Sequence, residues 1–285
     1  MAIVTSALLS LFVPPLAYVI SGTVVALVTL RKGAAAGLQT MMFAMLVLIL
    51  FCILANLPFQ LAVAYALAVW LPVCAVAIVL RVTEAQGIAL FVAGIMAACL
   101  IVSLYLMVDD VSGLWKNWFM TMLEKNVPDA DMNVYEEALD SAAVIFNAIM
   151  AVGLMLNIVS SVLLARWWQS NLFNKGAFRE EFYALRLPIL VLPVSGLLVL
   201  LTFIASDSLQ AISRDWLILM LFMYVIQGVS AVHRVIDQYK LSAAWLVAVY
   251  CLLILLPYIT LLIACLGMTD VYLDWQKKQR SGRET

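Results

Sequence analysis

The chain reads as an all-α, polytopic bundle of membrane-spanning helices, and three observations carry that expectation. Only 12% of its 285 residues are charged, against about 25% in an ordinary soluble domain. Its mean hydropathy is +1.08. Apolar runs repeatedly exceed the roughly 18 residues that mark a spanning candidate. Barrel strands would show alternating segments of about ten residues, and no such alternation occurs.

Eight hydrophobic segments follow in order, for six to eight full crossings. Ile3 to Leu30 is closed by Arg31 and Lys32. At 1.5 Å per residue it would reach about 42 Å, beyond a hydrocarbon core of roughly 30 Å. Pro14 and Pro15 near its middle leave two readings open, one tilted and kinked helix or two short ones. Met41 to Ala55 and Leu61 to Leu80 are joined only by "NLPFQ", which suggests an antiparallel pair. Gly87 to Val108 and Ala142 to Leu164 come next, followed by a polar segment from Arg166 to Arg186. Leu187 to Ala205, Trp216 to Ile236 and Ser242 to Gly267 complete the set. The expectation is a single integral domain over 1–285, with an amphipathic insertion at 109–140 and a polar tail at 270–285.

Loop charge orients the bundle. One set of loops holds Arg31, Lys32, Arg81, Arg166, Lys175, Arg179, Arg186, Arg234 and Lys240, nine cations; the other holds Lys116, Lys125 and Arg214. The nine are expected on the cytoplasmic side of a bacterial inner membrane. The tail dissents: eight crossings place Lys277, Lys278, Arg280 and Arg283 on the opposite side. Either it is an exception or one segment stops short, with Pro257 and the Pro58/Pro72 region as the suspects.

The remaining composition excludes several function classes. A net charge of −1 gives no reason to expect a nucleic-acid partner. Cys52, Cys74, Cys99, Cys251 and Cys265 all lie in apolar runs without a CxxC pair, so they read as small hydrophobes. The start "MAIVTSALLSLFVPP" lacks a charged leader, so no cleaved signal peptide is expected. One histidine cannot build a His-rich metal site, and neither G-x-S-x-G nor a P-loop occurs. No enzyme activity, metal or cofactor is expected.

The insertion is acidic, with Asp109, Asp110, Glu124, Asp129, Asp131, Glu136, Glu137 and Asp140. Within it, "LWKNWFMTMLEK" sets Leu114, Trp115, Trp118, Phe119, Met122 and Leu123 at helical spacing. That is an amphipathic helix suited to the membrane interface, either a structural lid or a mobile gate and docking surface.

The stretch "MYVIQGVSAVHRVIDQYK" holds the chain's one histidine together with a glutamine, a serine, an arginine and an aspartate on one short run. Tyr224, Gln227, Ser230, Arg234 and Asp237 share one helical face, and His233 stands four residues before Asp237, close enough to pair with it. Polar groups in hydrocarbon are costly unless partnered, so the stripe should face inward. It reads either as a ligand-binding or coupling site, or as interhelical hydrogen bonding continued into a solvated loop start. Asn147 and Asn157 on the preceding long run are further candidates. "GAAAG" at Gly33 to Gly37 is a literal GxxxG, which permits close helix packing.

Three stretches together resemble the YybS-like family of predicted bacterial inner-membrane proteins. Asn157, "LLARWW" and "FREEFYALRLP" are similar to that family's Asn-bearing helix, basic stretch and F-R…R-L-P re-entry, at Phe178, Arg179, Arg186, Leu187 and Pro188. "QGVSAVH" is similar to Q-G-x-x-x-x-H at Gln227, Gly228 and His233. "LGMTDVYLDW" resembles a closing pattern at Gly267, Asp270, Asp274 and Trp275. The N-terminal part matches mainly in hydropathy and the "LRKGAAAG" turn, and Trp167 and Trp168 stand where the family often has basic residues.

That family looks distantly related to the substrate-capture subunits of energy-coupling-factor transporters and to a rod-shape scaffold protein. The resemblance therefore implies two roles. One is a transport component, with a small-molecule pocket near the positive-poor side under the Trp115/Trp118 helix. Its small faces at Gly33, Gly37, Gly87 and Gly94 would then meet a membrane-protein partner. The other is a non-enzymatic scaffold for envelope assembly. In both, the lipid bilayer is the first partner.

Overall fold

The computed structural model describes residues 2–127 and 132–281, with side chains described for 16–127 and 134–276. The side chains of Pro14 and Pro15, the acids Asp129 and Asp131, and the basic side chains of the tail lie outside the described residues.

Every regular element among the described residues is helical. α1 (Ala2–Lys32) is one helix, which decides between the two readings of the first run. It breaks at Gly33, whose φ of +98° a side chain would resist, and α2 (Ala34–Leu54) follows. α3 (Gln60–Tyr65) continues through a π-helical turn, Ala66–Trp70, into α4 (Leu71–Thr83). α5 (Gln86–Met107) precedes the amphipathic α6 (Val111–Asn126), capped where the Asp110 carboxylate accepts from the Gly113 N–H at 2.8 Å. α7 (Met132–Phe173), α8 (Ala177–Tyr183), α9 (Val191–Ile204) and α10 (Asp207–Gln238) come next. The last apolar run is two helices, α11 (Ala244–Leu255) and α12 (Pro257–Ser281), because Pro257 has no N–H to continue the ladder.

Among the described residues, six helices are long and apolar enough to cross a membrane: Ala34–Leu54, Gln60–Thr83, Gln86–Met107, Val134–Phe173, Asp207–Gln238 and Pro257–Gln276. α9 and α11, at 14 and 12 residues, are shorter apolar helices. At 1.5 Å per residue neither spans a core of roughly 30 Å by itself. Large apolar side chains cover the outward surface, among them Phe43, Leu54, Phe203 and Ile254. A water-facing bundle would bury such groups; lipid tails do not penalise them.

The chain forms two compact units. The first comprises 1–93, 154–188 and 229–255. In it α1 packs against α2 and α4 around Val25, Ala66, Trp70 and Cys74. Ser21 and Tyr65 exchange a 2.8 Å hydrogen bond across that seam. Gly37 lies flush on Thr29 and Cys74, and Gly87 on the backbone of Arg186. The second unit comprises 94–153, 189–228 and 256–285. Here Gly94 seats Met223, and α12 runs antiparallel to α10, with Gly267 against Tyr224 and Gly228 against Ile263. α12 therefore runs toward the Asp207 end of α10. Gly37, Gly87 and Gly94, expected to meet a partner subunit, are covered by the chain's own residues, because a Cβ-free surface admits close approach from any neighbour.

Candidate functional site

Helical periodicity places the α10 stripe on one face, and the structure supplies its partners. In the first unit Ser230 Oγ donates to the Phe182 carbonyl at 2.6 Å, and Arg234 Nη1 to the Tyr183 carbonyl at 2.9 Å. These are carbonyls from the last turn of α8, where a helix runs out of internal donors and its dipole favours a cation. His233 Nε2 meets Tyr250 Oη at 2.9 Å and the Phe182 ring edge-on at 5.5 Å. Asp237 pairs with Arg179 of α8. The expected His233–Asp237 contact gives way to these, because α8 and α11 bring stronger partners to each group. Asn157 Oδ1 is buried without a donor among the described residues.

In the second unit the same stripe continues with Tyr224 and Gln227, both fully buried. Tyr224 Oη and Ser195 Oγ are 2.9 Å apart, and Gln227 Nε2 donates to Asp270 Oδ2 at 2.8 Å. Tyr224, Gln227 and Ser230 face inward, Asp237 is exposed, and the stripe's polar groups bind their own chain.

Of a polar node in the second unit, the sequence singles out Asn147 but not the Asp215, Arg214 and Tyr105 that complete it. Asp215 is wholly buried. Its Oδ2 accepts from Tyr105 Oη at 3.1 Å and from Asn147 Nδ2 at 3.0 Å, and its Oδ1 from Arg214 Nη2 at 3.3 Å. The same Arg214 nitrogen reaches the Val144 carbonyl at 2.7 Å. The seventh apolar run begins at Trp216, whereas α10 starts at Asp207 and carries Asp215 inside. An acid and a base directly bordering an apolar run were the available signal.

Beside Asn147, Phe146 receives α6. Trp115 and Phe119 meet its ring edge-on at 4.7 and 4.8 Å, and Trp118 stacks on it at 5.9 Å. Lys116 fastens the polar side of α6 to Asp140 at 2.7 Å and Glu136 at 3.3 Å. Hydrogen bonding to Asp140 holds the Lys116 ammonium above the usual lysine range, with burial opposing.

The first unit also contains a polar cavity of about 260 Å³, lined by Leu30, Leu80, Arg81, Glu84, Arg166, Gln169 and Glu181. These residues sit at the basic ends of α1, α4 and α7 and on α8. Arg166 grips Glu181 with two nitrogens, at 2.7 and 2.5 Å, and donates to Gln169 Oε1 at 2.7 Å. Gln86 Nε2 approaches Glu181 at 3.5 Å, while its Oε1 is buried without a donor among the described residues. No sequence pattern pointed to this cavity, because its walls come from four helices far apart in the chain.

Arg166→Met should leave the Glu181 carboxylate without its fork. Each partner keeps about a quarter of its side-chain surface exposed. The loss is therefore about 1–3 kcal/mol, below the roughly 3–5 of a fully buried pair. Arg166→Lys should recover only part of it, since an ammonium cannot make the bidentate contact. Thermal unfolding of the detergent-purified variants measures both; equal stability of all three proteins would show that the pair is idle.

A family model described as "Predicted membrane protein (DUF2232)" matches residues 1–271. No curated protein and no solved structure matches the chain.

Proposed function

The chain belongs to the DUF2232 family of predicted membrane proteins, and on that premise we propose that it is a transport-related, small-molecule-binding component that performs no catalysis. The polar cavity lined by Arg81, Glu84, Arg166, Gln169 and Glu181 carries this reading. Charged groups beside hydrocarbon are costly unless they face one another, water or a ligand, and a concave site with a few convergent polar groups is the usual form of a ligand site. The transport assignment leans on the resemblance to substrate-capture subunits, which also implies a bacterial inner membrane. The cavity lies at the basic end of the helices, so the groups offered to a ligand differ from the α10 stripe.

Native mass spectrometry of protein purified in mild detergent tests the reading. A stoichiometric small molecule should accompany the wild type and be reduced at least about tenfold in Arg81→Met, the usual consequence of losing a charge-assisted contact. Ligand-free protein from every growth condition would refute it.

One observation favours a second reading, a scaffold. Ser230, Arg234 and Asp237 join α8 to α10 through three contacts, which suits a rigid platform. In that case crosslinking in membranes should recover a defined protein partner, and cavity variants that fold should keep the cellular phenotype.

A further inference from the structure

The charges lining the cavity divide into a closed pair and an open one. Arg166 and Glu181 neutralise each other through the two-nitrogen fork, and the third Arg166 nitrogen is taken by Gln169. Arg81 and Glu84 form no such fork, although Glu84 also attracts the Arg166 guanidinium electrostatically. Arg81 donates through Nη1 to the Leu30 carbonyl at 2.5 Å, capping the end of α1 and leaving its other N–H groups without a protein acceptor among the described residues. Glu84 has no hydrogen bond or ion pair to its carboxylate among the described residues. Its backbone is held in the left-handed region, φ 54° and ψ 15°, where its N–H closes α4 on the Leu80 carbonyl at 2.8 Å. A residue with a Cβ takes that conformation at a cost of about 1–2 kcal/mol.

We propose that this cavity binds a small zwitterion, with its anionic group on Arg81 and its primary ammonium on Glu84. This rests on reading the cavity as a ligand site and names the chemistry that site would select. Arg81 and Glu84 are both exposed, so a ligand carrying one charge pairs with only one of them while the other stays with water, whereas a ligand carrying both charges pairs with each at once and gains two charge-assisted contacts. The Gln169 amide nitrogen, with no acceptor among the described residues, adds a donor on the anionic side. Leu30 and Leu80 offer a hydrocarbon wall. At about 260 Å³ the space falls below the roughly 300–1,000 Å³ of drug-sized sites, which suits a compact molecule. Two sources share this chemistry, a free amino acid and the headgroup of an ethanolamine phospholipid.

The test uses the full chain in nanodiscs of phosphatidylcholine, whose quaternary ammonium cannot donate a hydrogen bond to Glu84. Calorimetric titration with glycine, β-alanine and phosphoethanolamine is compared with acetate and methylamine. A parallel arm measures thermal stability in nanodiscs of phosphatidylethanolamine and of phosphatidylglycerol. At least one free zwitterion should bind about tenfold or more tightly than either single-charge analogue, or phosphatidylethanolamine alone should stabilise the protein; the first outcome identifies a free metabolite and the second a lipid headgroup. Glu84→Gln should weaken whichever response is seen by about tenfold, as expected for a lost charge-assisted contact, without moving the melting temperature of unliganded protein. Because Arg81 also caps α1, Glu84→Gln is the decisive variant. The proposal is overturned if single-charge analogues bind as tightly, if Glu84→Gln changes nothing, or if neither arm responds. A co-purified ligand without an ammonium group would sink the zwitterion assignment while leaving the cavity's binding role standing.

Discussion

Gly228→Ala should destabilise the protein by about 3 kcal/mol or more, the upper end of the overpacking range. The reason is local and rigid. A Cβ at Gly228 would overlap the backbone carbonyl oxygen of Ile263, and one at Gly267 would overlap that of Tyr224. A flexible side chain could swing away; a helix backbone moves only by separating α10 from α12. Separation would also draw Gln227 away from Asp270, a 2.8 Å hydrogen bond on the same seam. Gly267→Ala should act alike, and the double variant should cost less than the sum, since the first methyl has already opened the seam for the second. Thermal unfolding in detergent reads all three. A Gly228→Ala protein as stable as wild type would mean that the two helices do not meet through these glycines.

Asp215→Leu should be comparably severe. Removing the carboxylate strands the Arg214 guanidinium, the Asn147 amide and the Tyr105 hydroxyl around an apolar side chain. Arg214 keeps a third of its side-chain surface exposed, so the broken pair costs about 1–3 kcal/mol, below the roughly 3–5 of a fully buried one, and the stranded Asn147 amide, itself buried, adds about 1–3. Asp215→Asn keeps an acceptor and should fall well short of that. Tyr105→Phe removes one donor and should cost about 0.5–2 kcal/mol, in line with single hydrogen bonds within membranes. The order Leu, then Asn, then Tyr105→Phe is the expected result in a melting series. If Asp215→Leu proved the mildest of the three, the node would be a passive feature of the helix end.

Much of this molecule is legible from residue order alone. Low charge and long apolar runs dictate helices, since only an internally hydrogen-bonded backbone tolerates lipid. The spacing of Trp115, Trp118 and Phe119 makes α6 amphipathic wherever it docks, and the spacing from Tyr224 to Asp237 aligns their side chains on α10. Gly228 and Gly267 stood in two separate resemblances, and neither indicated that it faced the other's helix.

Periodicity assigns an azimuth on a helix and says nothing of which neighbour stands there, because to lipid every apolar face is equivalent. The partners of the stripe, the burial of Asp215, the closure of Gly228 on α12 and the cavity that gathers Arg81, Glu84, Arg166 and Glu181 all depend on segments tens of residues apart. Composition and spacing by themselves determined a helical membrane protein with one polar helix face and one aromatic-rich amphipathic helix. Only the tertiary structure decided which polar groups are consumed by the fold and which are left facing open space, because that choice is made by hydrogen-bond geometry between helices that the chain order does not place side by side.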